Sequence, residues 1–160
     1  MVISPNGIYS QKENDLSDTS NITIGNSSFK YFPSAANNIA IGRSAMLNSN
    51  SSNNIAIGRN SIKNAVNFVL NDGNTNVALG NNTLRNLIYG GDNLAVGDNA
   101  LNDNNGYYNT ALGNMSSAGY INGNYNTTIG YMAGSIGTPN PIHQIHGNVF
   151  IGYMAGRNVS

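Results

Sequence analysis

The sequence predicts an all-β protein, a parallel β-solenoid built as a flattened two-layer β-roll, and the first observation behind this is a repeated phrase. The phrase reads Asn, any residue, a mostly small residue, an aliphatic residue and Gly, and it occurs eight times in 160 residues. Its copies begin at Asn21, Asn38, Asn54, Asn76, Asn93, Asn109, Asn126 and Asn148. The closing glycines lie 16, 17 or 22 residues apart. A near-constant period of this size is typical of solenoids, in which each repeat forms one coil.

The second observation is that each phrase has the pattern of a short β-strand. In NIAIG at 38–42, Ile39 and Ile41 point to one side and Ala40 to the other, because side chains alternate along a strand. We expect Asn and Gly, which tolerate positive φ, at the corners on either side of the strand.

A second, less regular group of apolar residues follows each phrase about four residues later. We expect it to form a second short strand or extended arm. Its members are Ala45, Met46, Leu47, Ile62, Leu84, Ala100, Leu101, Met115, Met132 and Ala133. Two arms of about five residues and two turns of about three fill a coil of this length. A three-sided hexapeptide helix needs about 18 residues per coil, so a two-layer roll fits better.

Stacked coils place the opening asparagines in register. At an inter-strand spacing of about 4.8 Å, eight coils make a rod about 38 Å long. Side-chain amides in register can donate to and accept from their neighbours, as stacked Asn residues do in cross-β assemblies. The repeat therefore predicts an asparagine ladder along the rod.

The interior of such a roll is thin, which predicts self-association. Ile39 and Ile41 cover only one face, and the Ala40 face is too small to build a second core. A small solenoid buries a limited fraction of its surface, and oligomerisation is the usual remedy. We predict a parallel homotrimer with equivalent strands facing a common axis.

The chain divides into two parts. Residues 1–20 precede the repeats and are predicted to form an N-terminal cap or attachment segment, since solenoids need their first coil covered. Residues 21–160 are predicted to form the β-roll of eight repeats. The two 22-residue steps add about five residues each, within 59–75 and 131–147, and these segments are expected to protrude.

The composition excludes several classes of protein. Charged residues make up 9% of the chain and the net charge is zero, whereas disorder usually accompanies high net charge. The basic residues are scattered singly, so no basic stripe is available for phosphates and nucleic acid is not an expected partner. The absence of cysteine excludes disulfides and thiolate metal sites. The start of the chain does not have the pattern of a signal peptide, and no apolar run approaches a membrane span, so membrane insertion is not expected.

A family resemblance is carried most clearly by NTALG at 109–113 and NTTIGYMAG at 126–134. The recurring phrase and the small or aliphatic residues that follow it resemble the head repeats of YadA-like trimeric adhesins. They resemble still more the NTAIGY-type arrays of phage tail fibres and of fibre-like proteins of large algal viruses. The resemblance covers residues 21–156 and implies a left-handed parallel β-roll trimer without catalytic residues in the repeats.

The sequence has no stalk or anchor of the adhesin type, which favours a virion protein. The expected function is that of a non-enzymatic structural protein, a trimeric fibre or spike subunit involved in host attachment. Residues 1–20 are expected to bind other tail or capsid proteins, and a host-surface glycan or protein is the expected receptor. The alternative is a head fragment of a bacterial trimeric adhesin on the cell surface. A glycan-cleaving tailspike is a less favoured third interpretation.

Tyrosine side chains are the residues in this sequence best suited to contact a receptor. Tyr89, Tyr107, Tyr108 and Tyr120 are the candidates, since a Tyr ring can stack on a sugar ring. The alternative is that tyrosines at strand ends cover the roll and pack between subunits.

Two other groups of residues have side chains suited to metal binding or catalysis. His143 and His146 are the only histidines, and a trimer could bring three copies of either to a metal on its axis; the alternative is an exposed loop. Asp92 and Asp98 are the candidate carboxylates for a glycosidase, which needs two carboxyls roughly 5–10 Å apart; turn chemistry is the alternative. We predict no cofactor and no metal.

Overall fold

The computed structural model describes residues 8–11, 20–31, 35–65, 75–103, 105–119, 123–137 and 145–158. Within these ranges it contains nine β-strands and no helix. The strands are β1 (Ile8–Gln11), β2 (Asn21–Ile24), β3 (Ile39–Ile41), β4 (Ile55–Ile57), β5 (Val77–Leu79), β6 (Leu94–Val96), β7 (Thr110–Leu112), β8 (Thr127–Ile129) and β9 (Val149–Ile151). They form one sheet in which the strand order is the chain order.

The strands β2 to β9 pair in parallel, and each phrase lies opposite the same position of the next phrase. Ala40 lies opposite Ala56, and Ala56 lies opposite Ala78. Each strand therefore returns one coil later, which confirms the predicted parallel β-solenoid. The left-handed sense and the trimeric state remain predictions.

The first coil has a neighbour on its outer edge. Strand β1 pairs antiparallel with β2, with Ile8 opposite Ile24. Residues 1–7 and 12–19 lie outside the described residues, and the role of residues 1–20 as a cap or attachment segment remains a prediction. The extra residues of the two long coils fall mainly at 66–74 and 138–144, which also lie outside the described residues.

The second side of the coil is not a strand, contrary to one expectation. It is a run of turns, which we call the turn layer, with positive φ at every second residue, for example 59° at Ser44 and 49° at Met46. Ala45 and Met46 are adjacent and both fully buried, which an alternating strand cannot achieve. Backbone bonds still join the coils here, from Ser44 N–H to the Asn26 carbonyl and from Met46 N–H to the Ser61 carbonyl, both 2.9 Å long.

The small face of the sheet is the interior one. The central strand residues are fully buried: Ala40, Ala56, Ala78, Ala95 and Ala111. They share one core cluster with large side chains of the turn layer: Met46, Ile62, Leu84 and Leu101. The Ala face needs no external cover because the turn layer supplies the bulk that fills the coil.

The last two described coils exchange large and small positions between the layers. The strand centre becomes Thr128 and then Phe150, while the turn layer carries Gly134 and Gly156. A Cβ at Gly134 would lie 2.7 Å from Cγ2 of Thr128, and a Cβ at Gly156 would lie against the Phe150 ring. A glycine therefore stands in the turn layer opposite each of these larger strand centres, as dense packing requires.

The predicted asparagine ladder is present along all eight phrases. At each step the backbone N–H and the side-chain amide of one Asn donate to Oδ1 of the Asn one coil earlier. For Asn76 on Asn54 these two distances are 2.8 and 3.1 Å. Several of these amides also close their own coil, as in the 2.7 Å bond from Asn109 Nδ2 to the Gly123 carbonyl.

The corners follow the expectation at Gly but not at Asn. Gly42 closes its phrase at φ 132°, a conformation that favours glycine. At the other corner the positive φ belongs to the residue before the opening Asn, such as Asn37 at 60° or Asn53 at 62°. The opening Asn is instead held by the ladder, which uses its side chain rather than its tolerance of positive φ.

Candidate interaction surfaces

The outward side of strands β2 to β9 forms a continuous aliphatic surface, which we call the outer face. Each of the eight strands contributes two side chains, one on either side of its buried centre. Fourteen of these sixteen are Ile, Leu or Val, and the other two are Thr110 and Thr127. The in-register pairing aligns them in two rows along the sheet.

The outer face is accessible along its whole length. None of its sixteen side chains is buried, and at mid-stack Ile57 is 39% exposed. Val149 and Ile151 on β9 are about two-thirds exposed, at 66% and 65%. No charged residue lies on these eight strands. Contiguous exposed apolar surface of this kind marks interaction sites on soluble proteins.

Stacked tyrosines lie at the corners on either side of the outer face. Tyr108 and Tyr125 precede β7 and β8, and their rings stack at 5.1 Å between centroids with 6° between planes. Tyr131 and Tyr153 follow β8 and β9 and stack at 5.6 Å and 13°. All four rings are exposed.

The structure brings together two of the four predicted receptor contacts. Tyr107 and Tyr108 are adjacent, with tilted rings at 6.3 Å, while Tyr89 is exposed one coil earlier. Tyr120 lies outside the described residues. The stacking partner Tyr125 was missing from the predicted set, although its position 17 residues after Tyr108 is one repeat period and indicated the contact.

The candidate carboxylates lie at opposite ends of β6. Asp92 precedes the strand and is exposed, whereas Asp98 follows it. Asp98 Oδ1 accepts the backbone N–H of Asn81 at 2.8 Å, and the Asn81 amide donates to both Asp98 oxygens at 3.3 Å. Asp98 therefore takes the place of an Asn in a second side-chain ladder, which is a structural role.

Of the two histidines, the structure describes His146. His146 Nδ1 accepts the backbone N–H of Asn124 at 3.1 Å, and His143 lies outside the described residues. Within the described ranges no three His, Asp or Glu side chains converge as a metal site would require. These ranges also contain no helix with the length and apolarity of a membrane span.

We expect metal removal to leave the protein unchanged. Dialysis against a chelator should not shift the melting temperature, because the coils are joined by backbone and amide hydrogen bonds that need no cation. A scanning calorimetry trace before and after dialysis checks this. A lower melting temperature that Zn²⁺ restores would instead support the histidine site.

The chain was also compared with known proteins. It matches no family model, no curated protein and no solved structure. The resemblance to fibre and adhesin repeats therefore remains a prediction from the repeated phrase.

Proposed function

We propose that this protein is a structural subunit of a virion fibre or spike, a homotrimer that displays its surface for host attachment. The single observation that carries the proposal is the outer face, an uncharged aliphatic surface that runs the length of a rod whose other surfaces are rich in Asn and Ser. Such a surface is costly to leave in water, so it calls for a partner.

A second copy of the same chain is the partner that fits this surface best. The outer face is periodic, with two aliphatic rows that repeat once per coil, and only another periodic surface matches it along its length. Parallel copies in register place equivalent strands around a common axis, so that each aliphatic row meets a row of the same spacing. The resemblance to trimeric fibre repeats sets the number of copies at three.

A rigid trimeric rod suits attachment more than catalysis. It presents each surface feature three times, and multivalency converts individual contacts in the millimolar range into useful avidity. Residues 1–20 are proposed to bind tail or capsid proteins. Immunogold electron microscopy of purified particles tests the location, and labelling of bacterial surfaces instead would favour the adhesin alternative.

Assembly is tested by placing a charge on the outer face. We expect wild-type protein to sediment at three times the chain mass of 16.9 kDa and Ile57→Asp to sediment as a single chain. Three carboxylates near the axis repel one another and lose hydration on association, at a cost of several kcal/mol. Analytical ultracentrifugation gives the mass, and circular dichroism checks that the strands persist.

Lys63→Asp is the matched control, because Lys63 lies in the turn layer on the other side of the coil. It introduces the same carboxylate but should leave the sedimenting mass at three chains. Wild-type protein that sediments as one chain contradicts the proposal.

A further inference from the structure

One row of corner residues contains an open position beside a tyrosine ring. The row consists of the residue before each opening Asn from Asn38 onward, and all seven have positive φ: Asn37, Asn53, Thr75, Asp92, Tyr108, Tyr125 and Gly147. Backbone bonds keep neighbouring members in register. Tyr125 N–H donates to the Tyr107 carbonyl and Gly147 N–H to the Asn124 carbonyl, each at 3.0 Å.

Side chains along this row contact one another from coil to coil. The Asn37 amide donates to Oδ1 of Asn53 at 3.2 Å, and Tyr108 stacks on Tyr125. The row then reaches Gly147, which has no side chain. A Cβ built at Gly147 would meet no atom of the described residues within 4 Å.

Among the described residues, no side chain covers the face of the Tyr125 ring that lies opposite Tyr108. Tyr108 covers the face toward the preceding coil, and the other face is directed toward the coil of Gly147. Tyr125 is 64% exposed even though it is stacked. We call the space beside this face, next to Gly147, the vacant rung.

The edge of the vacant rung is polar. His146 precedes Gly147, and because its Nδ1 accepts the Asn124 N–H, the neutral ring carries its proton on Nε2 and can donate there. Asn148 follows Gly147, and its amide donates to the His146 carbonyl at 3.1 Å, which holds this segment in place. The Tyr125 hydroxyl adds a group that can donate or accept.

We propose that the vacant rung binds one pyranose ring of a neutral saccharide. The face of a tyrosine ring carries partial negative charge, which attracts the slightly positive C–H groups on the flat side of a pyranose. The hydroxyls around the sugar then meet the His146 Nε2 donor and the Tyr125 hydroxyl. A phosphate or carboxylate ligand fits less well, because no Lys or Arg lies among residues 123–126 and 145–148.

This inference deepens the proposed host attachment and rests on it for the source of the sugar. The contact is a single stacking platform, so its own dissociation constant is expected to be in the millimolar range. Three copies on one rod then supply the avidity.

Saturation-transfer NMR on the full chain tests the site, with methyl β-D-glucopyranoside and methyl β-D-galactopyranoside as the probes. We expect binding of at least one probe, with saturation strongest at its axial C–H groups. Tyr125→Ala should weaken that binding about tenfold or more, whereas Tyr125→Phe, which keeps the ring, should stay within about threefold.

Gly147→Asn is the variant that should block the site without disturbing the fold. Asn occupies the same row at positions 37 and 53 with the same sign of φ, and a Cβ at Gly147 has free space. The new side chain should fill the vacant rung and weaken binding about tenfold or more without lowering the melting temperature. Tyr31→Ala is the control in which an exposed tyrosine is lost elsewhere, and it should not change binding.

Three results would overturn the proposal: no binding of either pyranoside, undiminished binding by Gly147→Asn, or a loss with Tyr31→Ala in place of Tyr125→Ala. Sedimentation of the same samples distinguishes failure of the sugar site from failure of trimer assembly. A trimer that binds no pyranoside removes the sugar site and leaves the fibre proposal standing, while a single chain that binds one does the reverse.

Discussion

Gly42→Ala is expected to destabilise the protein strongly, because the added methyl group has no room between two coils. A Cβ at Gly42 would lie 2.5 Å from the Gly58 carbonyl oxygen and 2.7 Å from its carbon. Both atoms belong to the backbone of the next coil, which cannot move without breaking the sheet. The φ of 132° adds strain of about 1–3 kcal/mol, so we expect a total loss of about 4 kcal/mol or more in the free energy of unfolding.

Gly152→Ala is the matched control for this variant. Gly152 closes its phrase at nearly the same φ, 127°, but a Cβ there would meet only the Ala155 Cβ at 3.9 Å. It should lose about 1–3 kcal/mol from backbone strain alone. Urea unfolding gives both values, and hydrogen exchange at the Gly42 and Gly58 amides shows whether the damage is local to those coils. Equal losses in the two variants would show that the close approach of coils at glycine is not what makes Gly42 necessary.

Asn76→Ala is expected to have the second largest effect, a loss of about 3–5 kcal/mol. Asn76 is fully buried, and its Oδ1 accepts the Asn93 backbone N–H at 3.1 Å and the Asn93 amide at 3.0 Å. Alanine leaves both Asn93 donors without this acceptor, and each unsatisfied buried group costs about 1–3 kcal/mol. The bond from the Asn76 amide to Asn54 is lost as well.

Asn48→Ala provides the comparison. Asn48 also belongs to a side-chain ladder, and its amide donates to Asn64 Oδ1 at 3.0 Å, but this bond is only partly buried. Water can replace the lost partner, so the expected cost is about 1 kcal/mol. Urea midpoints of the two variants check the ranking, and a larger loss for Asn48→Ala would mean that the buried ladder is not the main polar support of the roll.

The sequence predicted strands β2 to β9 fully but the tyrosine contacts only in part. Every phrase contains a strand, because period-2 alternation between Asn and Gly is a local property of the chain. Tyr108 was predicted as an exposed aromatic residue. Its stack on Tyr125 depends on which residues of neighbouring coils lie one above the other. That contact follows only when positions one period apart are compared.

The turn layer could not be predicted from its apolar residues. Adjacent buried residues such as Ala45 and Met46 are compatible with several backbone paths, and their identity does not favour positive φ at Met46. Inter-coil bonds such as Met46 N–H to the Ser61 carbonyl stabilise this conformation, and they exist only once the coils are stacked.

By itself the sequence determined the parallel solenoid, the register of its coils and the asparagine ladder, since all three follow from a period that repeats along the chain. Only the tertiary structure decided which side of the sheet is inside. Alternation says that Ile39 and Ala40 point in opposite directions, but not which of them faces the interior. Met46 and Leu84 fill the narrow coil from the turn layer, and that leaves room for Ala and turns the isoleucines outward, where they form the outer face.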